Sequence, residues 1–193
     1  TFKLRFPGRR QFAPGEAIEI PMNASFYFGK PLAGAKAFWS FTGRHTIFSP
    51  TGWDKFAFGE TDGSRTTELS DEGTLSREGQ LVISPEVTDD LNSPMPVEGS
   101  LSVRITNANG QSISGGTSVI RHSSDYYLAL RELPCVRWAK QPIPLQVVAV
   151  KSDGSPAAVG QSFMATLKKI EWHSVKMKGA GGVVRYKNER KEI

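Results

Sequence analysis

The sequence predicts an all-β protein built as two antiparallel sandwich modules in tandem, the second of them incomplete. Three observations carry this. Apolar residues alternate with polar ones along several segments, as they do when one face of a strand is buried and the other is wet. The 193 residues include 19 Gly and 12 Pro, placed between the apolar segments where tight turns need them. The third observation is an internal repeat. A shift of 125 residues carries Gly29-Lys30-Pro31 onto Gly154-Ser155-Pro156, and carries Ile18, Ile20, Met22 and Ala24 onto Ile143, Leu145, Val147 and Ala149. Each copy reads as an alternating strand, a Gly-x-Pro turn and a second strand, within 14–41 and 139–167 respectively.

In the first module, 1–124, Phe2–Phe6 is a short strand. Ala17–Phe28 is a long one whose period-two positions are Ile18, Ile20, Met22, Ala24 and Phe26. After the Gly29 turn, Lys36–Phe48 and Trp53–Phe58 supply aromatic strands, with Phe56 and Phe58 on one face. Glu60–Glu72 is polar and nearly free of large apolar groups, so it is expected as a loop or exposed connection. Gly79–Ser84 and Gly99–Thr106 resume the alternation. Asn109-Gly110 before Ser112–His122 marks a hairpin, because both residue types tolerate positive φ. About seven strands result, the number of a sandwich of the immunoglobulin or fibronectin-III type. The boundary is placed near Ser123–Asp125. The second module, 125–193, holds Tyr126–Leu133, the repeat strands, Ala165–Met177, a glycine-rich turn at Lys178–Gly182 and Val183–Ile193. Four or five strands leave an open edge and a bare apolar face, so the module is expected to be a fragment or to be completed by a neighbour. The opening Thr1–Phe6, already strand-like, is read in the same sense.

Composition removes several function classes. Cys135 is the only cysteine, which excludes an intrachain disulfide and any Cys-x-x-Cys metal or redox pair. No apolar run approaches 18 residues, and no leader or lipidation motif is recognisable. The net charge of +5 is concentrated at one end: residues 163–193 carry 8 basic and 3 acidic groups. They are spread along what reads as a long solvated hairpin with no motif of known nucleic-acid readers, so no nucleic-acid partner is expected.

The order of strand, Gly-x-Pro turn and aromatic strand is followed by Ser102-Val103-Arg104-Ile105-Thr106 with its Asn-Gly hairpin, and then by Arg121-His122-Ser123-Ser124-Asp125-Tyr126-Tyr127-Leu128. Together these resemble the macroglobulin-like domains of bacterial alpha-2-macroglobulins. The tail Ile170–Lys176, with its glycine-rich turn and Arg185–Lys191, resembles the same family. The resemblance implies a scaffold segment of a large cell-envelope or periplasmic endopeptidase inhibitor, its parent anchored to the inner membrane as a lipoprotein. The implied partners are neighbouring macroglobulin-like domains and, through the whole protein, target endopeptidases. The family's reactive thioester has no counterpart here, because Cys135-Val136-Arg137-Trp138 lacks the Glu-Gln pair.

Catalytic residues, metal ligands and cofactors are not expected. His45, His122 and His173 lack zinc spacing. Ser123, His122 and Asp125 are sequence neighbours that a turn cannot orient into a relay, and no G-x-S-x-G elbow exists. Asp89, Asp90 and Asn92, or Glu60 and Asp62, match no calcium loop. Cys135 lacks an activating setting. Asn23-Ala24-Ser25, formally a sequon, falls inside a strand. Trp138, Trp172 and His173 are the candidates for an inter-module contact, and Glu60–Glu72 for a protease-accessible bait. The alternative from another class is an adhesion or carbohydrate-binding module of a surface protein, dependent on Trp138 or Trp172.

Overall fold

Alternation translates directly into two facing sheets. In the computed structural model the described residues are 2–59, 66–87, 94–133, 141–158, 160, 162–166, 168–178 and 184–192. The strands are β1 (Phe2–Arg5), β2 (Gln11–Phe12), β3 (Ile20–Phe26), β4 (Lys36–His45), β5 (Phe56–Ala57), β6 (Thr66–Thr74), β7 (Gln80–Ile83), β8 (Val97–Thr106), β9 (Ser112–Arg121), β10 (Tyr126–Arg131), β11 (Val147–Lys151), β12 (Ile170–Lys178) and β13 (Val184–Glu192). Sheet β1-β3-β7 faces sheet β2-β9-β8-β4-β6. Ile20, Met22 and Ala24 point inward from β3, Ala37 and Phe41 from β4, and Leu101, Val103 and Ile105 from β8, all buried in one core. The β8–β9 hairpin turns where Gly110 N–H donates to Asn107 O at 3.0 Å, with Gly110 at φ 75.

Two expectations are corrected. Thr66–Glu72 lies not in a loop but in β6, which pairs with β4 from Lys36↔Thr74 to Arg44↔Thr66. It is the edge of the five-stranded sheet. Thr67, Leu69 and Gly73 are half-buried, while Glu68, Ser70 and Glu72 are exposed. A charged edge strand discourages pairing with other chains, and that is why its composition looks like a loop. Residues 60–65 lie outside the described residues. The likeness of the repeat also fades early. Ile18 and Ile20 are buried, but Ile143 and Leu145 precede β11 and are exposed, with no sheet facing them among the described residues.

From Val147 onward the repeat is reproduced bond for bond. Around the first turn, Phe26 N donates to Lys30 O (2.8 Å), Gly29 N to Phe26 O (2.9 Å) and Leu32 N to Ala24 O (3.0 Å). Around the second, Lys151 N donates to Ser155 O (2.8 Å), Gly154 N to Lys151 O (2.9 Å) and Ala157 N to Ala149 O (2.8 Å). Both glycines have positive φ, 95 at Gly29 and 87 at Gly154, where a Cβ would be strained. Each turn ends in an isolated bridge to its proline, Ser25↔Pro31 and Val150↔Pro156. Antiparallel to β3 runs β1, and antiparallel to β11 runs β10.

A second core joins the two sides of residue 124. Phe48, Phe58, Tyr127, Ala129 and Val150 are buried together, with Trp53, Phe56 and Val148 packed on them. β5 accordingly pairs with β10, Leu130 opposite Ala57. Because 48–58 and 127–150 build this core jointly, the compact units are Thr1–Ala158 and Val159–Ile193. The second unit contains the β12–β13 hairpin, in register from Ile170↔Glu192 to Lys178↔Val184.

Candidate interaction sites

The segment around the expected boundary, Ser123–Asp125, belongs to a hydrogen-bonded corner. His122, nearly fully buried, directly follows β9 and brings its Nδ1 within 3.1 Å of the Tyr127 hydroxyl. The same hydroxyl accepts from Ser123 N–H at 3.1 Å. Ser123 Oγ donates to Pro94 O at 2.6 Å, and Asp125 O accepts from Ser152 N at 3.2 Å. The Ser123 hydroxyl and the His122 imidazole are thus turned to different partners, Pro94 O and the Tyr127 hydroxyl. Phe48 completes the corner, stacked on Tyr127 (4.3 Å, 25°) and edge-on to His122 (5.9 Å, 81°). The role of Tyr127 was not read from the sequence. Its only signal there was an aromatic next to a polar tetrapeptide.

His122 Nε2 is buried without a hydrogen-bond partner. Burial therefore lowers its pKa from the ordinary 6.5. The unfolded chain binds a proton near pH 6.5 that the folded chain refuses. The histidine's contribution to stability is complete above that pH and is lost as pH falls below it, toward the lowered folded value. Between pH ~7.5 and ~5.5 this histidine is expected to lower the stability on acidification by no more than one proton's ~1.4 kcal/mol per pH unit, read as a falling melting temperature. His122→Gln should abolish this part of the pH dependence, and equal slopes in both proteins would refute it.

A cavity of about 420 Å³ lies beside this corner, bordered by Thr46, Phe48, Pro50, Glu98, His122 and Asp153. Glu98 is held by Arg44, with Nη2 to Oε2 at 2.7 Å. Asp153 accepts from Ser155 N at 2.8 Å, and Ser155's side-chain and backbone bonds hold its carboxyl below the usual range. A second cavity of about 620 Å³ sits at the first repeat turn, bordered by Phe26, Lys30, Leu32, Lys36, Phe38 and Asn109. Among the described residues, no three His, Cys, Asp or Glu side chains converge as metal ligands would.

Of the residues expected at an inter-module contact, Trp138 lies outside the described residues, as do Cys135, Asp89, Asp90, Asn92, Glu60 and Asp62. Trp172 and His173 are successive on β12 and so project to opposite faces of the hairpin. Trp172 is 70% exposed. His173 Nε2 lies 3.5 Å from Glu171 Oε2. Tyr186 and Met177 are also exposed there.

The architecture is therefore that of an all-β sandwich protein, its two cores held by hydrogen bonds and aromatic packing. Solved structures sharing this fold across the whole chain are bacterial alpha-2-macroglobulins. The Escherichia coli protein in its native conformation matches at a TM-score of 0.67 and 12% identity over 100% of this chain and 13% of that one. The E. coli protein activated by porcine elastase matches at 0.69 and 16%, over 100% and 18%. The Salmonella protein reacted with methylamine matches at 0.65 and 13%, over 100% and 14%. The chain thus spans less than a fifth of the length of these structures. No family model matches the chain, and no curated protein matches it.

Proposed function

We propose that the chain is a scaffold segment of an alpha-2-macroglobulin-like endopeptidase inhibitor, with no catalytic activity of its own. It comprises a macroglobulin-like module at 1–124 and a second at 125–193 that shares a core with the first. The observation that carries this reading is the fold match over the full chain, and the recurrence of one turn, bond for bond, at a spacing of 125 residues supports the tandem. Proteins that share the fold are activated by elastase or trypsin, or react with methylamine. By extension, the partners of this segment are neighbouring modules and, through the whole polypeptide, endopeptidases. The setting is the periplasm or cell envelope, with a lipoprotein anchor on the parent. Trp172 and His173, with Trp138, are the candidates for contacts between modules.

The test is to incubate the full-length parent with trypsin. The reading expects a change of shape after a limited cut and a protease trapped by a thioester outside this segment. A parent that is degraded progressively, with no change of shape and no trapped protease, would overturn it. Glycan binding that depends on Trp172 or Trp138 would establish the adhesion-module alternative instead.

A further inference from the structure

The two copies of the repeat turn form an internal control for what the fold requires. Both close with the same three hydrogen bonds, and the glycine and the proline recur. Between those fixed points the residues differ: Tyr27-Phe28 in the first copy, Ser152-Asp153 in the second. A turn that forms equally well on Ser-Asp does not need two aromatic rings. Yet Tyr27 is 65% exposed and Phe28 77%, with Phe38 beside them at 48%. Phe26 and Phe28 stack at 5.2 Å and 13°, and Phe26 in turn borders the 620 Å³ cavity together with Phe38. Large rings left in water at a place where the fold tolerates polar residues indicate a covered surface in the working protein.

The second copy shows what covers such a turn. Trp53 Nε1 donates to Gly154 O at 3.0 Å, and a Cβ placed on Gly154 would meet Pro50 at 3.5 Å. The Ser49–Trp53 loop is thus docked on the turn. A Cβ placed on Gly29 would meet nothing within 4 Å. The electrostatics around the first turn add a requirement. Lys30 and Lys36 border the cavity, Lys3 Nζ lies 5.9 Å from the Tyr27 ring centroid, and the described lining contains no carboxylate.

We propose that the Phe26–Lys30 turn, with Phe38 and Lys36, is a docking surface for a loop of an adjoining β-module in the same polypeptide. That loop carries a proline or aromatic residue for the ring face and an Asp or Glu for the lysines, seating on this turn as Ser49–Trp53 seats on the second. The proposal rests on the reading of the chain as a scaffold segment.

The experiment places the photo-crosslinking residue p-benzoylphenylalanine at position 28 of the full-length parent and, as control, at position 153. Without protease, position 153 should crosslink to 49–53. Position 28 should crosslink to a Pro- and Asp- or Glu-bearing loop elsewhere in the same polypeptide. Lys30→Glu with Lys36→Glu should reduce the position-28 crosslink about tenfold. In the 193-residue chain, Tyr27→Ser with Phe28→Asp should leave the melting temperature unchanged, as the second copy implies. Absence of an intrachain crosslink at position 28, with or without the control crosslink, overturns the proposal. So does a crosslink to a separate protein, and so does glycan binding by the chain that the Tyr27→Ser, Phe28→Asp variant loses. Because no protease is present, the crosslink can fail while the trapping reaction succeeds, and the reverse.

Discussion

Phe41→Ala is expected to destabilise unit 1–158 by about 3–5 kcal/mol, seen as a lower denaturant midpoint. Phe41 is fully buried at the centre of β4, opposite Leu101 of β8 and Leu69 of β6. Its ring lies across a pair of glycines, Gly43 and Gly99, which face each other between β4 and β8. A Cβ on Gly99 would fall 2.1 Å from Phe41 Cζ, and one on Gly43 would fall 3.3 Å from Cε1. The ring takes the space that two side chains would otherwise fill, so removing it leaves a cavity that neither strand can close. Gly99→Ala should fail for the opposite reason, by overpacking, and cost about 1–3 kcal/mol. The double variant Phe41→Ala, Gly99→Ala should lose less than the sum of the two, with a coupling of about 0.5–3 kcal/mol. Strict additivity would sink the account of the ring as the filler of the glycine pair.

Phe48→Ala should have a comparable effect on the second core, about 3–5 kcal/mol. Phe48 stacks on Tyr127 and meets Phe58 edge-on at 5.2 Å and 88°. With Phe58 and the β5–β10 pairing, it is one of the links by which 46–58 holds β10. Its loss should release Trp53 from Gly154 and break the bond from Glu132 N to Lys55 O. A red-shifted tryptophan emission and faster amide exchange at Glu132 should appear, while exchange along β8 changes little. If amides of β8 and β10 accelerate together, the two cores are a single cooperative unit and the distinction between them fails.

Much of the sandwich was legible because it depends on local chemistry. The alternation of Ile20, Met22 and Ala24 identifies a strand and its buried face, since successive side chains point to opposite sides. Gly29 and Gly154 mark turns because positive φ favours glycine, and Pro31 and Pro156 fix φ two residues further on. Where the signal was compositional rather than geometric, it misled. The Thr66–Thr74 strand looks like a loop because an edge strand gains stability from its partner's backbone while its side chains meet water. Ile143 and Leu145 match Ile18 and Ile20 in sequence, but burial also needs an opposing sheet.

The candidate sites were less legible, for the same reason. Nothing in Phe48 or Tyr127 taken alone announces that they meet from distant parts of the chain, with His122 against both. The sequence by itself determined the class of fold, the turns and the repeat, because strand alternation and glycine and proline chemistry act between residues close along the chain. Only the tertiary structure decided which copy of the turn is covered and which presents its aromatic rings, since burial depends on the segments that long-range packing brings together. The Gly-x-Pro turn is the same object twice. Ser49–Trp53 lies over one of them, and the other holds Tyr27 and Phe28 out in water.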